Sequence, residues 1–161
     1  MLYFLTILCI VAADQASKTL VMRSFSLYES RPIIDGLFNL VYVTNTGAAF
    51  SFLSDAGTWG HWFFVGVALL AVVGFTWGWW VWARTNRLLT VAMALIVGGA
   101  IGNLIDRLRF GAVVDFLDVL LGSYHWPAFN VADSCICVGA GLYIVAAMLV
   151  DRQEKNEGGK A

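Results

Sequence analysis

The chain has 161 residues, of which 60% are hydrophobic and 13% charged, with a mean hydropathy of +0.76. A soluble domain carries about 45–50% apolar and about 25% charged residues, and a small domain buries too little surface to hide such a surplus. The composition therefore excludes an ordinary soluble globular protein, while a net charge of −1 leaves no basic footprint for nucleic acid.

A membrane-spanning helix needs about 20 residues, and four such segments are present. The first covers residues 2–22, with Asp14, Gln15, Ser17 and Lys18 interrupting its apolar interior. No Lys or Arg precedes it, and Leu8 stands before Cys9 where a lipidation site would have a small residue. A retained helix is expected rather than a cleaved leader. Residues 23–58 are more polar and carry Pro32, Gly36, Gly47 and Gly57, so they are expected outside the hydrocarbon. Within them an outer β-like segment is expected at about 31–56. Its core is a strand over 37–44, paired with 48–53 across Asn45-Thr46-Gly47.

The second helix is expected at 59–83, with Trp77, Trp79, Trp80 and Trp82 at its far end, as suits a membrane interface. The third is expected at 88–105 and contains Gly98, Gly99 and Gly102, which let another backbone approach closely. A polar connection is expected over 106–130, the fourth helix at 131–150, and a charged, frayed tail at 151–161. The fold class is an all-α membrane protein: one membrane domain of four transmembrane helices with a small β-structured extracytoplasmic segment. Cys9, Cys135 and Cys137 make no CxxC pair and read as small buried hydrophobes, not a disulfide frame or zinc site.

Orientation follows from the basic residues. Arg84 and Arg87 crowd the short loop between the second and third helices, and Arg152, Lys155 and Lys160 the tail. By the positive-inside rule both termini are cytoplasmic. Asp14 then falls in the outer half of the bilayer, and Asp106, Asp115, Asp118 and Asp133 all gather at the outer side, among Asn45, Asn103 and Asn130.

Carboxylates near or within a membrane are costly and are functional candidates by default. Each also has a plainer reading. Asp14 and Lys18, at i and i+4, can neutralise each other on one helix face. Asp106 and Arg107 read as a local ion pair or anchor, and Asp118 as facing water. Asp133 suits an N-cap, and Asn45 and Asn130 suit turns.

Two carboxylates held close together cannot both ionise cheaply, so they share a proton. One can then take a proton from water while the other donates to the leaving group, with no metal and no covalent intermediate. Rival chemistries fit poorly. His61 and His125 lie far apart with no HExxH. Ser17 and Lys18 are adjacent and do not face each other on a helix.

The ordered motifs Asp14-Gln15-Ala16-Ser17-Lys18, Asn45-Thr46-Gly47-Ala48-Ala49-Phe50-Ser51, Gly98-Gly99-Ala100-Ile101-Gly102-Asn103-Leu104-Ile105-Asp106-Arg107, Val113-Val114-Asp115-Phe116 and Pro127-Ala128-Phe129-Asn130-Val131-Ala132-Asp133-Ser134 span nearly the whole chain. In this the chain resembles the bacterial lipoprotein signal peptidases (signal peptidase II, peptidase family A8). The resemblance implies an aspartic endopeptidase of the bacterial cytoplasmic (inner) membrane, active near its outer face, with no cofactor and no metal. It would cleave prolipoproteins just before their diacylglyceryl-modified cysteine. Asp115 and Asp133 would be catalytic. Asp14, Lys18, Asn45, Gly99, Asn103, Arg107 and Asn130 would bind substrate or support the site. The implied partners are diacylglyceryl-prolipoproteins, membrane lipid and globomycin-type inhibitors, and nothing requires more than a monomer. The rivals are a proton-coupled transporter using the acids as a relay and a non-catalytic assembly factor docking through its glycine helix. A relay would string acids across the bilayer, whereas these gather on one side.

Overall fold

The glycines of the third helix set how closely the others approach. The structure, a computed structural model, describes residues 1–47, 57–122 and 124–158, with side chains described as far as residue 150. Among the described residues four helices are long and apolar enough to cross a membrane. These are α1 (Leu2–Ser24), α2 (Gly57–Gly78, continued by a π-helical turn, Trp79–Ala83), α3 (Arg87–Phe110) and α4 (Val131–Gly158). Helix α3 is central and packs on the other three. A Cβ added at Gly98 would lie 3.0 Å from the Ile10 side chain, and one at Gly102 would lie 2.6 Å from the Asp14 carboxylate. One at Gly99 would collide with the Ala132 carbonyl of α4, and one at Gly139 would lie 2.8 Å from the Ala92 carbonyl of α3. These contacts fix direction: α1 runs parallel to α3, and α4 antiparallel.

A four-stranded antiparallel sheet caps the end where α1 and α3 finish and α4 begins. Its order is β1 (Ser30–Ile34), β2 (Phe38–Asn45), β3 (Val113–Leu121) and β4 (Tyr124–His125). Strand β2 pairs with β3 so that Asn45 faces Val113 and Asn39 faces Asp118, with a register shift between Leu40 and Val43. The expected pairing of 37–44 with 48–53 involves residues outside those described. The partners of β2 among the described residues are β1 and β3.

Several expected boundaries change. Helix α3 does not stop at Ile105 but runs to Phe110, where Gly111 closes it at a left-handed φ of 75°. Asp106 and Arg107 therefore lie on the helix. The segment after it is not a polar loop: β3 is largely buried and β4 folds back beside it. The tail continues α4 as far as Gly158.

At the opposite end Trp79 is buried, stacks on Tyr3 at 4.1 Å and donates from Nε1 to Thr90 at 3.1 Å, whereas Trp77, Trp80 and Trp82 are exposed. The cysteines are not buried as expected. Cys9 and Cys137 lie on exposed helix faces, and Cys135 is half-buried. A bilayer serves an apolar side chain as well as a core does, so apolarity does not mark the protein interior here.

Candidate active site

Three polar residues of α1, Asp14, Gln15 and Lys18, turn towards α3. Lys18 is 1% exposed, and its Nζ lies 2.9 Å from the Asp14 carboxylate and 2.8 Å from that of Asp106. It also donates to the Asn103 side-chain oxygen at 3.0 Å. Gln15 closes the cluster by donating to Asp14, to Asp106 and to the Gly102 carbonyl. Asp106 therefore pairs with Lys18 on another helix, not with its neighbour Arg107. Sequence reasoning gave Gln15 no role. Its place beside Asp14 and near Lys18 in a largely apolar helix was the available signal.

The two carboxylates around Lys18 each reach outward to one backbone N–H. Asp14 accepts from Ala132, directly before Asp133, at 3.0 Å. Asp106 accepts from Val114, directly before Asp115, at 3.1 Å. A single buried lysine thus holds both the segment carrying Asp115 and the helix start carrying Asp133.

Asp115 projects from β3 and Asp133 from the first turn of α4. Asn130 lies between them, 0% exposed. Its amide nitrogen donates to Asp115 Oδ1 at 2.7 Å and also reaches the Val114 carbonyl and the Asn103 oxygen. Its side-chain oxygen accepts from the Asp133 N–H at 3.0 Å. Asn103 donates to Asp133 Oδ1 at 2.7 Å, and Asn45 to Asp115 Oδ2 at 3.3 Å. Each carboxylate thus receives amide hydrogen bonds and, among the described residues, no direct cation. Burial, then the charge of Asp133, pushes the Asp115 carboxyl up to about 7.

Both aspartates open onto one cavity of about 380 Å³, also lined by Asn45, Asn103 and Arg107. Arg107 donates to the Gly47 carbonyl at 3.0 Å and lies over the Phe64 ring at 5.1 Å. The sequence-derived residues divide accordingly. Asp115, Asp133, Asn45, Asn103 and Arg107 line the cavity, and Asn130 ties the two aspartates together. Asp14 and Lys18 lie beneath, and Gly99 is a helix-packing contact with Ala132 and Ile136. Asp118 does not face water. It is 6% exposed and accepts from Asn39 and His125.

Over residues 6–149 the chain matches the family described as Signal peptidase (SPase) II. The chain belongs to the signal peptidase II family. It is 54% identical over 139 residues to the lipoprotein signal peptidase of Cupriavidus taiwanensis, covering 86% of this chain and 77% of that one. It is 47% identical over 161 residues to that of Shewanella pealeana, covering 98% and 92%. Its fold is similar to a bacterial membrane enzyme solved by the in meso method, with a TM-score of 0.84 and 32% identity, covering 95% of this chain and 90% of that chain. A second such structure gives a TM-score of 0.80 at 31% identity, covering 90% and 91%. Signal peptidase II membership and the four apolar helices make the protein a multi-pass membrane protease.

Proposed function

We propose that Asp115 and Asp133 are the catalytic pair with which this signal peptidase II removes the signal peptide from prolipoproteins, cutting before the diacylglyceryl-modified cysteine. The observation that carries the reading is the convergence of two aspartates, from β3 and α4, on one cavity with a shared asparagine between them. With Asp115 pushed up to about 7, the pair holds one proton near neutral pH. The ionised member takes a proton from water as that water attacks the scissile carbonyl. The protonated member gives its proton to the leaving amine as the scissile C–N bond breaks. Asn45, Asn103 and Asn130 orient the two carboxylates, and Arg107 offers its guanidinium to substrate carbonyls along the cavity wall. Asp14, Lys18 and Gly99 support the site from below.

In this reading both termini are cytoplasmic and the sheet end faces outward, at the surface of the bacterial inner membrane. The lipidated precursor enters from the bilayer as a monomeric enzyme's substrate, and globomycin-type inhibitors occupy the same cavity. The test is cleavage of a lipidated precursor by the purified protein in detergent, alongside Asp115→Asn and Asp133→Asn. Cleavage by the wild-type protein and its loss in both variants is expected. Normal turnover by either variant overturns the pair.

A further inference from the structure

The segment 126–129 forms one wall of the cavity: Trp126, Pro127, Ala128 and Phe129 all line it. At its inner end it leads into Asn130, and it is pinned to β3 there. Phe129 donates to the Leu117 carbonyl at 3.0 Å, and its own carbonyl accepts from Phe116 and Leu117 at 3.0 and 2.8 Å. At its outer end the Trp126 N–H donates to the Val119 carbonyl at 2.8 Å, and His125 stands beside it on β4. The His125 Nδ1 lies 2.9 and 3.0 Å from the two oxygens of Asp118, whose side chain is only 8% exposed. Asn39 of β2 donates to the same carboxylate at 2.8 Å. Asp118 therefore gathers three adjacent strands. A carboxylate only accepts, so Nδ1 carries the hydrogen towards it. Nothing in the proposed reaction uses Asp118 or His125, yet a carboxylate this buried is costly unless its partners are in place.

We propose that Asp118 and His125 are a positioning pair that, together with the Trp126 backbone bond to β3, fixes the outer end of the 126–129 wall and so sets how tightly the enzyme binds the substrate's peptide segment. The inference rests on the cavity being the substrate site. Its location makes it specific. The inner end of the wall keeps its own backbone bonds to β3, Asn130 keeps its bonds to Asp115 and Asp133, and the Trp126 N–H still holds the outer backbone to Val119, so losing the side-chain pin shifts the wall without unfolding it. Loosening the outer pin therefore alters the groove without moving the two aspartates. A defect there raises KM and spares kcat. A merely structural defect would instead lower the fraction of active enzyme, reducing apparent kcat at unchanged KM.

The experiment compares steady-state cleavage of one lipidated precursor by wild type, His125→Phe and His125→Asn in the same detergent. Phenylalanine keeps a ring but has no donor, whereas the asparagine amide can place an N–H where Nδ1 stood. Hydrogen bonds to charged groups are among the stronger ones in proteins, so His125→Phe is expected to raise KM about fivefold to tenfold with kcat within about twofold. His125→Asn is expected to restore KM to within about twofold of wild type. Unchanged KM in His125→Phe, or a fall in kcat alone that asparagine does not rescue, overturns the pair as a positioning device. If His125→Phe does not fold, His125→Asn and Asp118→Asn still decide: a raised KM is expected only for Asp118→Asn, whose neutral amide weakens the charge-assisted bond, and equal KM values in both overturn the proposal. A wild-type enzyme that leaves the lipidated precursor uncut overturns the functional reading itself, which separates that failure from failure of the pair.

Discussion

Asn130 and Asp133 cap each other. The Asn130 side-chain oxygen accepts from the Asp133 N–H at 3.0 Å, and the Asp133 carboxylate accepts from the Asn130 N–H at 3.2 Å. This reciprocal arrangement is a capping box, which satisfies two otherwise orphaned donors at the start of a helix. Here it also orients a proposed catalytic carboxylate, and the same Asn130 amide holds the other one. The sequence reading treated Asp133 as either a cap or a functional residue. The geometry allows both, since one carboxylate oxygen takes the backbone N–H while the other takes the Asn103 amide.

Separating those roles gives a first expected outcome. Asp133→Asn keeps an oxygen that can accept from the Asn130 N–H, so the helix start should survive. Its acid–base capacity does not, and removing a positioned general acid or base costs about 10²–10⁴-fold in rate. Thermal unfolding in detergent should change little while cleavage of a lipidated precursor is lost. Asn130→Ala should behave differently. It removes the cap, at about 0.5–2 kcal/mol, and strips Asp115 of its shortest hydrogen bond, so both the unfolding midpoint and the activity should fall. A stable, fully active Asn130→Ala protein would refute the linking role.

The pH dependence follows from Asp115. Its carboxyl, pushed up to about 7 by burial and by Asp133, keeps its proton more firmly in the folded chain than in the unfolded one. Its contribution to stability is thus full below about pH 4, the ordinary value, and is lost as pH rises through about 7. Activity should also decline above about 7, as the pair's shared proton departs. Unfolding midpoints from pH 4 to 8 should fall more in wild type than in Asp115→Asn. Equal slopes for the two proteins would show that Asp115 is not the group responsible.

Lys18 is the expected weak point of the fold. It is the cation between the buried carboxylates of Asp14 and Asp106, which hold the backbone beside Asp133 and Asp115 respectively. Breaking a buried ion pair by removing one partner costs about 3–5 kcal/mol. Lys18→Met should therefore lower the unfolding midpoint sharply and abolish cleavage. Adding Asp14→Asn to Lys18→Met should recover part of the stability, because one uncompensated charge is gone. A Lys18→Met protein as stable as wild type would mean that the cluster does not carry the load assigned to it.

The fold was legible where one physical rule dominated. Long apolar runs revealed the four helices, because a spanning segment must satisfy its backbone internally. Strand β3 was hidden by its own aspartates. Val113, Val114, Phe116, Leu117 and Val119 carry a β-rich signal, but Asp115 and Asp118 made the stretch look like a polar connection. The partners that reverse this reading are remote: Asn39 for Asp118, and Asn45 for Asp115. The same holds for Asp106, whose neighbour Arg107 suggested a local pair while its actual partner, Lys18, lies on α1. The candidate site was legible as residue types gathering at one end, whereas the links among them are tertiary and leave no local trace.

The glycines offer a graded series with its own control. Gly74 of α2 has open space where a Cβ would stand, so Gly74→Ala should be neutral or slightly stabilising, as alanine is the better helix former. At Gly98 an added Cβ would lie 3.0 Å from both the Cβ and the Cδ1 of Ile10, so α1 must give by a few tenths of an ångström, and a modest loss is expected. At Gly102 the Cβ would lie 2.6 Å from the Asp14 carboxylate and 3.2 Å from the Ala132 Cβ. Gly102→Ala should therefore disturb the hydrogen bond from Ala132 to Asp14 and reduce activity beyond its effect on stability. At Gly99 the obstruction is the Ala132 carbonyl, part of a helix backbone that cannot rotate away. Overpacking costs about 1–3 kcal/mol where side chains can adjust, so Gly99→Ala should exceed Gly98→Ala and displace α4 together with Asp133. Unfolding midpoints and initial cleavage rates should rank Gly74→Ala, Gly98→Ala, Gly102→Ala and Gly99→Ala from mildest to most severe. A tolerant Gly99 beside a sensitive Gly74 would mean that the α3–α4 contact is not what brings Asp133 to the cavity.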